Sequence, residues 1–448
     1  MSIDYQANVS LWLNCNLKCP YCFARPIPVP DRWSGEVRER LDMLGDFLDR
    51  TGRWSLDFSG GEPTIYPGFA HFCVRLAQAG HEVNFYTNGV VPLDQAFPDD
   101  SIRSVSRVVF SYHMTHDQRP AHMQTLLDNI DYLLARDIRI QVNYVLYPKH
   151  KSTANELRAR FDRPGIRLQF HPFQGEVDGR QYPFAYSEEE KAEFTAVGDI
   201  RARFLMENGY FLPTFKDCRA GFETFYIALR TGGIYTCEQI QQRELANFEL
   251  ASAEEDFRSN VADRPQPCPA KRCTCRMTVD QERFLATHDR WDMANYAAWE
   301  AVSRPTPEAL AYWLDKEQAF AAELAGMLRG DTVFVWAGGV HSLMLLKLLQ
   351  ANGFPMQRIK GIIDSERFKQ GRVLHGLKII SPDRFDAEWG GRCSDIVISS
   401  RAFEPEIHAQ ARSRYGDRYN LIRLYDGCMR NSYEALEASP SDAAESFA

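Results

Sequence analysis

Between residues 9 and 175 short apolar, β-rich runs alternate with longer amphipathic stretches. The runs predict strands at 9–14 (VSLWLN), 55–60 (SLDFSG), 82–88 (EVNFYTN), 105–113 (VSRVVFSYH), 139–147 (RIQVNYVLY) and 167–173 (RLQFHPF). The stretches VRERLDMLGDFLDR and MQTLLDNIDYLLARD carry apolar residues at helical spacing. Strand–helix alternation of this kind predicts a parallel sheet. Six units are too few for a closed eight-stranded barrel, so the expected fold is α/β, a partial and open (β/α)6 barrel. In parallel α/β barrels the chemistry gathers at the carboxyl ends of the strands.

Beyond the sixth strand the pattern changes. A charged helix begins at SEEEKAEFTAVGD, and a β-hairpin is predicted where FYIALR and IYTCEQ flank Thr231-Gly232-Gly233. Residues 277–330 read as helical, with Thr306-Pro307-Glu308 as a helix start. DTVFVWAGG (331–339) is a new strand and opens a second α/β unit. The expected organisation is a barrel over 1–200, a small cysteine-rich domain over 201–285, a helical linker over 286–330, a second α/β domain over 331–430 and a polar tail over 431–448. A frayed terminus is the expectation for a tail of that composition.

Composition narrows the function classes. The 448 residues are 44% hydrophobic and 25% charged, and 52 basic against 60 acidic residues give −8. A mildly acidic chain is a poor match to nucleic acid or anionic membranes, so neither is expected as a partner. No run reaches 18 apolar residues, and the first residues, MSIDYQANVS, lack the basic-then-apolar pattern of a signal peptide. Eleven cysteines, an odd number, stand at 15, 19, 22, 73, 218, 237, 268, 273, 275, 393 and 428. That count argues against a disulfide framework, and the clustering points to metal chemistry. Cys73, Cys393 and Cys428 are scattered and are expected to be free thiols acting as small hydrophobes.

Cys15, Cys19 and Cys22, in LNCNLKCPYCF, have the spacing C-x3-C-x2-C and follow the first strand. Four-iron clusters are usually held by four cysteines, so three leave one iron open to another ligand. Structural zinc, the alternative, wants a fourth protein ligand. The motif, with Tyr21 before the third cysteine, resembles the signature of the radical S-adenosylmethionine (radical SAM) superfamily. Gly60-Gly61-Glu62-Pro63, after the second strand, resembles that family's GGEP element. The resemblance implies a [4Fe-4S] cluster with an open iron that binds the amino and carboxylate groups of SAM. It further implies reductive cleavage of SAM to a 5′-deoxyadenosyl radical that abstracts a hydrogen atom from substrate. GGEP would engage the SAM amino group through its backbone and Glu62. Paired glycines allow close backbone approach, and a carboxylate suits an ammonium. Tyr21, Asn88 and His171 are expected to line the SAM site. By the same resemblance Ser111 and Asn143 would hydrogen-bond the SAM ribose and carboxylate, and His113 or His116 would contact substrate or move a proton.

Five further cysteines lie in the 201–285 segment. Cys218 and Cys237 fit C-x13-G-x4-C, and Cys268, Cys273 and Cys275 follow as C-x4-C-x-C. This resembles the SPASM/twitch auxiliary domain of radical SAM enzymes, in its shorter form with one auxiliary [4Fe-4S] cluster. Cys218, Cys237 and Cys268 are the firmer expected ligands; Cys273 and Cys275 compete for the fourth place, and a four-thiolate zinc site is the alternative. The leftover thiol reads first as a spectator; near the substrate it would instead return a hydrogen atom, whereas a cluster would accept an electron. In the last domain Gly338-Gly339 precede a helix and Asp364 follows the next strand. A helix start of this kind can receive a phosphate, and the acid a ribose hydroxyl. The glycine turn with His341, then I-I-D-S, then G-x-x-L-x-G, resembles the small Rossmann-like domain of nucleotide-sugar enzymes, which implies a nucleotide or nucleotide-sugar site at Gly338, Gly339, His341 and Asp364. Partner docking and a purely structural role are the other readings of that domain.

Together these readings predict a radical SAM enzyme, an oxidoreductase or an isomerase of the epimerase type. Its substrate would be a small molecule, a sugar or nucleotide-linked sugar, undergoing oxidation, epimerisation or rearrangement. Modification of a ribosomally made peptide is the alternative within enzymes, and a non-catalytic iron–sulfur or zinc scaffold the alternative outside them. A flavodoxin or ferredoxin would supply electrons. Oxygen-sensitive clusters imply a cytoplasmic, reducing setting.

Overall fold

A computed structural model describes the chain apart from residues 1–2, 12–13, 20, 23–34, 150–151, 153, 198–199, 214, 239, 269, 271–272, 274–277, 288–292, 368, 401–402, 428 and 431–448. The chain divides into two compact units: residues 1–177 with 181–304, and residues 178–180 with 305–448.

The first unit is built on six parallel strands in sequential order: β1 (Tyr5–Ser10), β2 (Trp54–Ser59), β3 (Glu82–Thr87), β4 (Arg107–Tyr112), β5 (Arg139–Leu146) and β6 (Ile166–Pro172). β6 ends the order, so the sheet is open as expected. Side chains alternate across the sheet with period two. One face carries Leu56, Phe58, Phe85, Val108, Phe110, Val142 and Tyr144, all at most 1% exposed. These pack in one core with Leu44 and Phe47 of helix Gly35–Thr51, Phe72 and Leu76 of helix Phe69–Gln78, and Leu126, Ile130 and Leu133 of helix Pro120–Leu134. Spacings of three and four put those residues on one stripe of each helix. Burying each such side chain contributes about 1.5–3 kcal/mol. The other face is polar. It carries Ser10 opposite Ser59, and Ser111 opposite Asn143 opposite Gln169. Lower down, Arg107 donates to Asp57 at 2.6 Å.

β1 lies four residues earlier than the apolar run 9–14 predicts. The buried residues of this segment are Ala7, Val9 and Leu11, and Gln6, Asn8 and Ser10 alternate with them. Backbone pairing ends at Ser10, with β2 on one side and Thr224–Ala228 on the other. The expected hairpin does form: Thr224–Ala228 pairs antiparallel with Gly233–Cys237, which pairs with Ile240–Asn247. Gly232 sits at φ +73°, and a Cβ there would meet the Asn247 side chain at 2.4 Å. The hairpin also adds to the barrel sheet, since Thr224–Ala228 runs parallel to β1, from Gln6 opposite Thr224 to Ser10 opposite Ala228. The edge of β1 is thereby covered, and among the described residues the sheet reaches nine strands.

Among its described residues the second unit holds five parallel strands: Val333–Trp336, Ile359–Ile363, Leu377–Ile380, Asp395–Ile398 and Asn420–Arg423. Their spatial order is third, second, first, fourth, fifth, the doubly wound arrangement, with Val373–Leu374 added antiparallel at one edge. The helical stretch expected as a linker divides at Arg304 and Pro305. Helix Pro307–Met327, capped by the Thr306 hydroxyl accepting from the Ala309 amide at 3.1 Å, buries Phe320, Ala321 and Leu324 in the second unit's core.

Candidate active site at the carboxyl ends of the strands

The loop after β1 brings three thiols together. Cys15 and Cys22 are exposed and Cys19 is half-buried. Burial pushes the Cys19 thiol up to about 12, with added repulsion from Cys15 and Cys22. Cys15 is also raised, first by burial and then by Glu62 and Cys22. The Cys15 sulfur accepts from the Leu17 amide at 3.4 Å and from the Asn88 side-chain amide at 3.8 Å. Among the described residues no three His, Cys, Asp or Glu side chains stand in a finished metal-binding arrangement. The chemistry of the donor set nevertheless fits a cationic iron centre. Three mutually repelling thiols are what a bound cation converts to thiolates, and N–H groups on a sulfur suit a cluster ligand.

The GGEP turn is locked to this loop. Gly60 and Gly61 have φ of +88° and +64°. A Cβ on Gly60 would lie 3.1 Å from the Ser10 hydroxyl and 3.2 Å from the Leu11 nitrogen. The Glu62 amide donates to the Asn14 carbonyl at 2.9 Å. The Glu62 side chain is fully buried. Its Oε1 accepts from the Thr64 amide at 3.1 Å and from the Thr64 and Thr87 hydroxyls, each at 2.7 Å; its Oε2 accepts from the Asn88 amide at 2.7 Å. Burial raises its pKa, and these hydrogen bonds oppose the rise. Glu62, expected to face the SAM ammonium, thus ties the end of β2 to the end of β3. Pro63 opens the single 3-10 turn that follows, where a missing N–H loses nothing. Asn88 is the junction: its side-chain amide donates to Asn16 Oδ1 at 2.7 Å as well as to Cys15.

His113 and His116 differ in role. His116 is fully buried. Its Nε2 donates to the Asn88 carbonyl at 2.8 Å and its Nδ1 accepts from the His113 amide at 3.0 Å. Both nitrogens therefore brace the ends of β3 and β4, and the expectation that His116 meets substrate gives way to a positioning role. Burial lowers its pKa. His113 is partly exposed and pairs through Nδ1 with the Tyr21 hydroxyl at 2.9 Å. Burial, then His116, pushes it down to about 4. Tyr21 also packs on Tyr147, with ring centroids 4.9 Å apart, and Tyr147 packs on Phe173. The β1 loop is therefore fastened to β4, β5 and β6.

Ser111 and Asn143 share the polar face, with His171 opposite Val145 further along β6. Sequence reasoning missed Gln141 and Gln169. Gln141 is 7% exposed and donates to Asn143 Oδ1 at 2.6 Å and to Gln169 Oε1 at 2.7 Å. The signal was present as polar residues at every second position of RIQVNY and RLQFH.

In the same unit Cys218, Cys237 and Cys273 are buried and Cys268 is half-buried. Cys218 pairs across a two-residue ladder with Gln266, beside Cys268, and Cys273 pairs with Phe211. The neighbouring Cys218 thiol, then burial and the nearby Cys273, raise the Cys268 thiol well above its ordinary value. Cys218, Cys268 and Cys273 are thus brought together. Cys237 ends its strand, and Cys275 lies outside the described residues. Of the scattered cysteines, Cys73 is fully buried in the barrel core and Cys428 lies outside the described residues.

In the second unit the glycine turn differs from the expectation. The Gly338 amide donates to Asp364 Oδ2 at 2.6 Å, and Oδ1 accepts from the Glu366 amide at 2.8 Å. Lys369 pairs with the same carboxylate at 3.2 Å. Asp364 is 5% exposed, so it braces the turn rather than reaching for a ribose. A Cβ on Gly338 would meet Ile379 at 2.8 Å, whereas Gly339 has open space beside it at the start of helix Val340–Ala351. His341 Nδ1 pairs with the Tyr425 hydroxyl at 3.0 Å.

Comparison with known proteins bears on the first unit. Residues 9–156 match the family profile "Radical SAM superfamily". A curated relative, the S-adenosylmethionine-dependent nucleotide dehydratase of Thermoplasmatales archaeon (strain ISO4-H5), is 30% identical over 87 residues, 18% of this chain and 29% of the relative. The chain thus spans less than a third of that relative's length. Among solved structures, Streptococcus suis SuiB bound to S-adenosylmethionine aligns with a TM-score of 0.42 and 16% identity, over 58% of this chain and 67% of SuiB. Histidine-tagged anSMEcpe with bound AdoMet aligns at 0.39 and 14%, over 58% and 81%. BtrN in complex with AdoMet and 2-DOIA aligns at 0.30 and 12%, over 60% and 95%. The matched segment begins within β1, runs past β5 and contains the three-cysteine loop, the GGEP turn, Asn88, Ser111 and Asn143: over residues 9–156 this chain is similar to the radical SAM superfamily.

Proposed function

We propose that the protein removes a hydrogen atom from a nucleotide or a nucleotide-linked sugar. One observation carries the radical SAM part of this reading: Asn88 joins the cysteine loop and the GGEP turn in a single network through Cys15, Asn16 and Glu62. Cys15, Cys19 and Cys22 would hold a [4Fe-4S] cluster, and the backbone at 60–63 with Ser111 and Asn143 would hold SAM. When bound, that pair supplies a 5′-deoxyadenosyl radical as hydrogen-atom acceptor. The protein's own part is to position and to exclude water. Glu62 and His116 fix three strand ends from buried positions, and the Tyr21–His113 pair fastens the loop that would cover the cluster. His113, neutral at ordinary pH, would meet substrate as a hydrogen-bonding ring rather than as a strong base. Cys218, Cys268 and Cys273, with Cys237 or Cys275, would hold the auxiliary [4Fe-4S] cluster.

The substrate class is supported by the stretch shared with the nucleotide dehydratase and by the polar, largely uncharged upper rows of the barrel face. Loss of water therefore joins oxidation and epimerisation among the outcomes. A flavodoxin or ferredoxin in the cytoplasm would supply the electron, and no helix among the described residues is long and apolar enough to cross a membrane. The second unit would select the nucleotide through the open space at Gly339 beside His341, at the point where its strand order reverses. The test is 5′-deoxyadenosine formation by anaerobically reconstituted, reduced protein given SAM and a panel of nucleotides and nucleotide sugars. Substrate-dependent formation is expected. A product lighter by one water means dehydration, one lighter by two hydrogens means oxidation, and one of unchanged mass in H2O that gains a single deuterium in D2O means epimerisation. Background formation across the panel, with stimulation by a peptide, would replace this reading with the peptide one.

A further inference from the structure

The polar face of the barrel carries a row of side chains with a defined hydrogen-bonding polarity. Ser111, Asn143 and Gln169 stand opposite one another on β4, β5 and β6, all partly exposed. Gln141 lies one step below Asn143 on the same face and is 7% exposed. Its single amide nitrogen donates twice, to Asn143 Oδ1 at 2.6 Å and to Gln169 Oε1 at 2.7 Å. A primary amide has two N–H donors, so Gln141 satisfies both bonds at once. The consequence lies in the two partners. With its carbonyl turned down to Gln141, each must turn its amino group the other way. Among the described residues neither amino group, nor the Ser111 hydroxyl, is given to another protein group.

We infer that Gln141 is a positioning residue that orients Asn143 and Gln169, so that the barrel presents two neighbouring uncharged N–H donors to two adjacent oxygen acceptors of a ligand, a carboxylate or a vicinal diol. This rests on the radical SAM reading, because that reading makes the polar face a ligand site. Two sources carry such oxygens: the carboxylate and ribose of SAM, and the ribose or sugar of the substrate. The orientation is imposed through hydrogen bonding, so its loss is separable from a loss of packing. Gln141→Glu keeps the size but only accepts. Asn143 and Gln169 would then turn their amino groups down to the new carboxylate and show carbonyl oxygens to the ligand, acceptor against acceptor. Gln141→Met keeps the volume and imposes neither orientation.

The experiment measures the dissociation constants of SAM, and of ATP, GTP, CTP and UTP in turn, by calorimetry on the anaerobically reconstituted chain, with melting temperature and iron content as controls. Gln141→Glu is expected to weaken one ligand class by about tenfold or more, the effect of facing an acceptor with an acceptor. Gln141→Met should weaken it only about two- to threefold, a lost preference between two orientations. Weakened SAM with unchanged nucleotide assigns the row to SAM; the reverse assigns it to the substrate. Equal losses for Glu and Met would mean that Gln141 merely fills space, and affinities within twofold of wild type in both variants would mean that it orients nothing; either overturns the inference. Should Gln141→Glu fail to fold, Asn143→Asp replaces the outward amino group directly: the same loss supports the inference, and unchanged affinity overturns it. If the wild-type chain itself binds no SAM, the underlying reading falls, a result distinct from a wild type that binds and variants that do not differ.

Discussion

Glu62 and Asp364 hold equivalent places in the two units. Each is an acid at the carboxyl end of a strand, at most 5% exposed, with its oxygens on backbone amides of an adjoining turn. Glu62→Gln would set an amino group against a backbone donor, the Asn88 amide or the Thr64 amide. A buried donor left unsatisfied costs about 1–3 kcal/mol. We expect that loss in chemical denaturation, together with weaker iron retention, because Asn88 also reaches the cysteine loop. Gly60→Ala should destabilise by about 1–2 kcal/mol, since Gly60 holds a positive φ and its Cβ would crowd Leu11. The two histidines make a pH statement. His113 is pushed down to about 4 and His116 is lowered, both first by burial. The folded chain refuses protons that the unfolded chain accepts below about 6.5. Stability should therefore be full above that pH and fall as pH drops toward 4, by at most about 1.4 kcal/mol per unit for His113. His113→Asn should flatten the slope of melting temperature against pH over that window. Sequence named these residues because motif spacing is local. It did not show that Glu62 closes on Thr87 and Asn88, because that contact exists only once β2 and β3 lie side by side.

At the scale of elements, strands β2 to β6 were legible to within two residues, because a strand packed on one face writes its alternation into the sequence. The first strand was displaced because the apolar run after Val9 outweighed the weaker alternation before it. The hairpin was legible from its glycine turn, but its parallel pairing with β1, more than 200 residues away, left no local mark. That pairing carries the auxiliary cysteines into the barrel's own unit, where Cys218, Cys268 and Cys273 meet. If these hold a second cluster, Cys218→Ala and Cys268→Ala should each lower the iron content of the reconstituted chain by about four per molecule. Cys393→Ala, at a thiol that donates to the Thr332 and Asp395 carbonyls instead, should leave it unchanged. Iron analysis beside the absorbance of the reduced and oxidised protein decides it. A single cluster's iron in wild type, unaffected by Cys218→Ala, would remove the auxiliary centre and leave zinc to be sought there.

For the molecule as a whole, the division at Arg304 and Pro305 changes what the helical stretch before the second sheet is for. Its sequence reads as a connector because helix periodicity alone does not say which sheet a helix packs on. The side chains do say so: Phe320, Ala321 and Leu324 are 1–4% exposed and share a core with Val333, Val335, Leu346 and Ile362 of the doubly wound unit. Truncation tests this directly. A fragment beginning at Pro305 retains the Thr306 cap and the apolar face of the helix, and should unfold cooperatively in urea. One beginning at Asp331 exposes the surface that Phe320 and Leu324 cover. At about 1.5–3 kcal/mol for each buried side chain of this kind, that loss consumes much of the 5–15 kcal/mol typical of a domain. The shorter fragment should therefore melt non-cooperatively or bind a hydrophobic dye, and adding the helix back as a peptide spanning 305–330 should restore a sharp transition. Two fragments of equal stability would mean that the helix covers the sheet without supporting it.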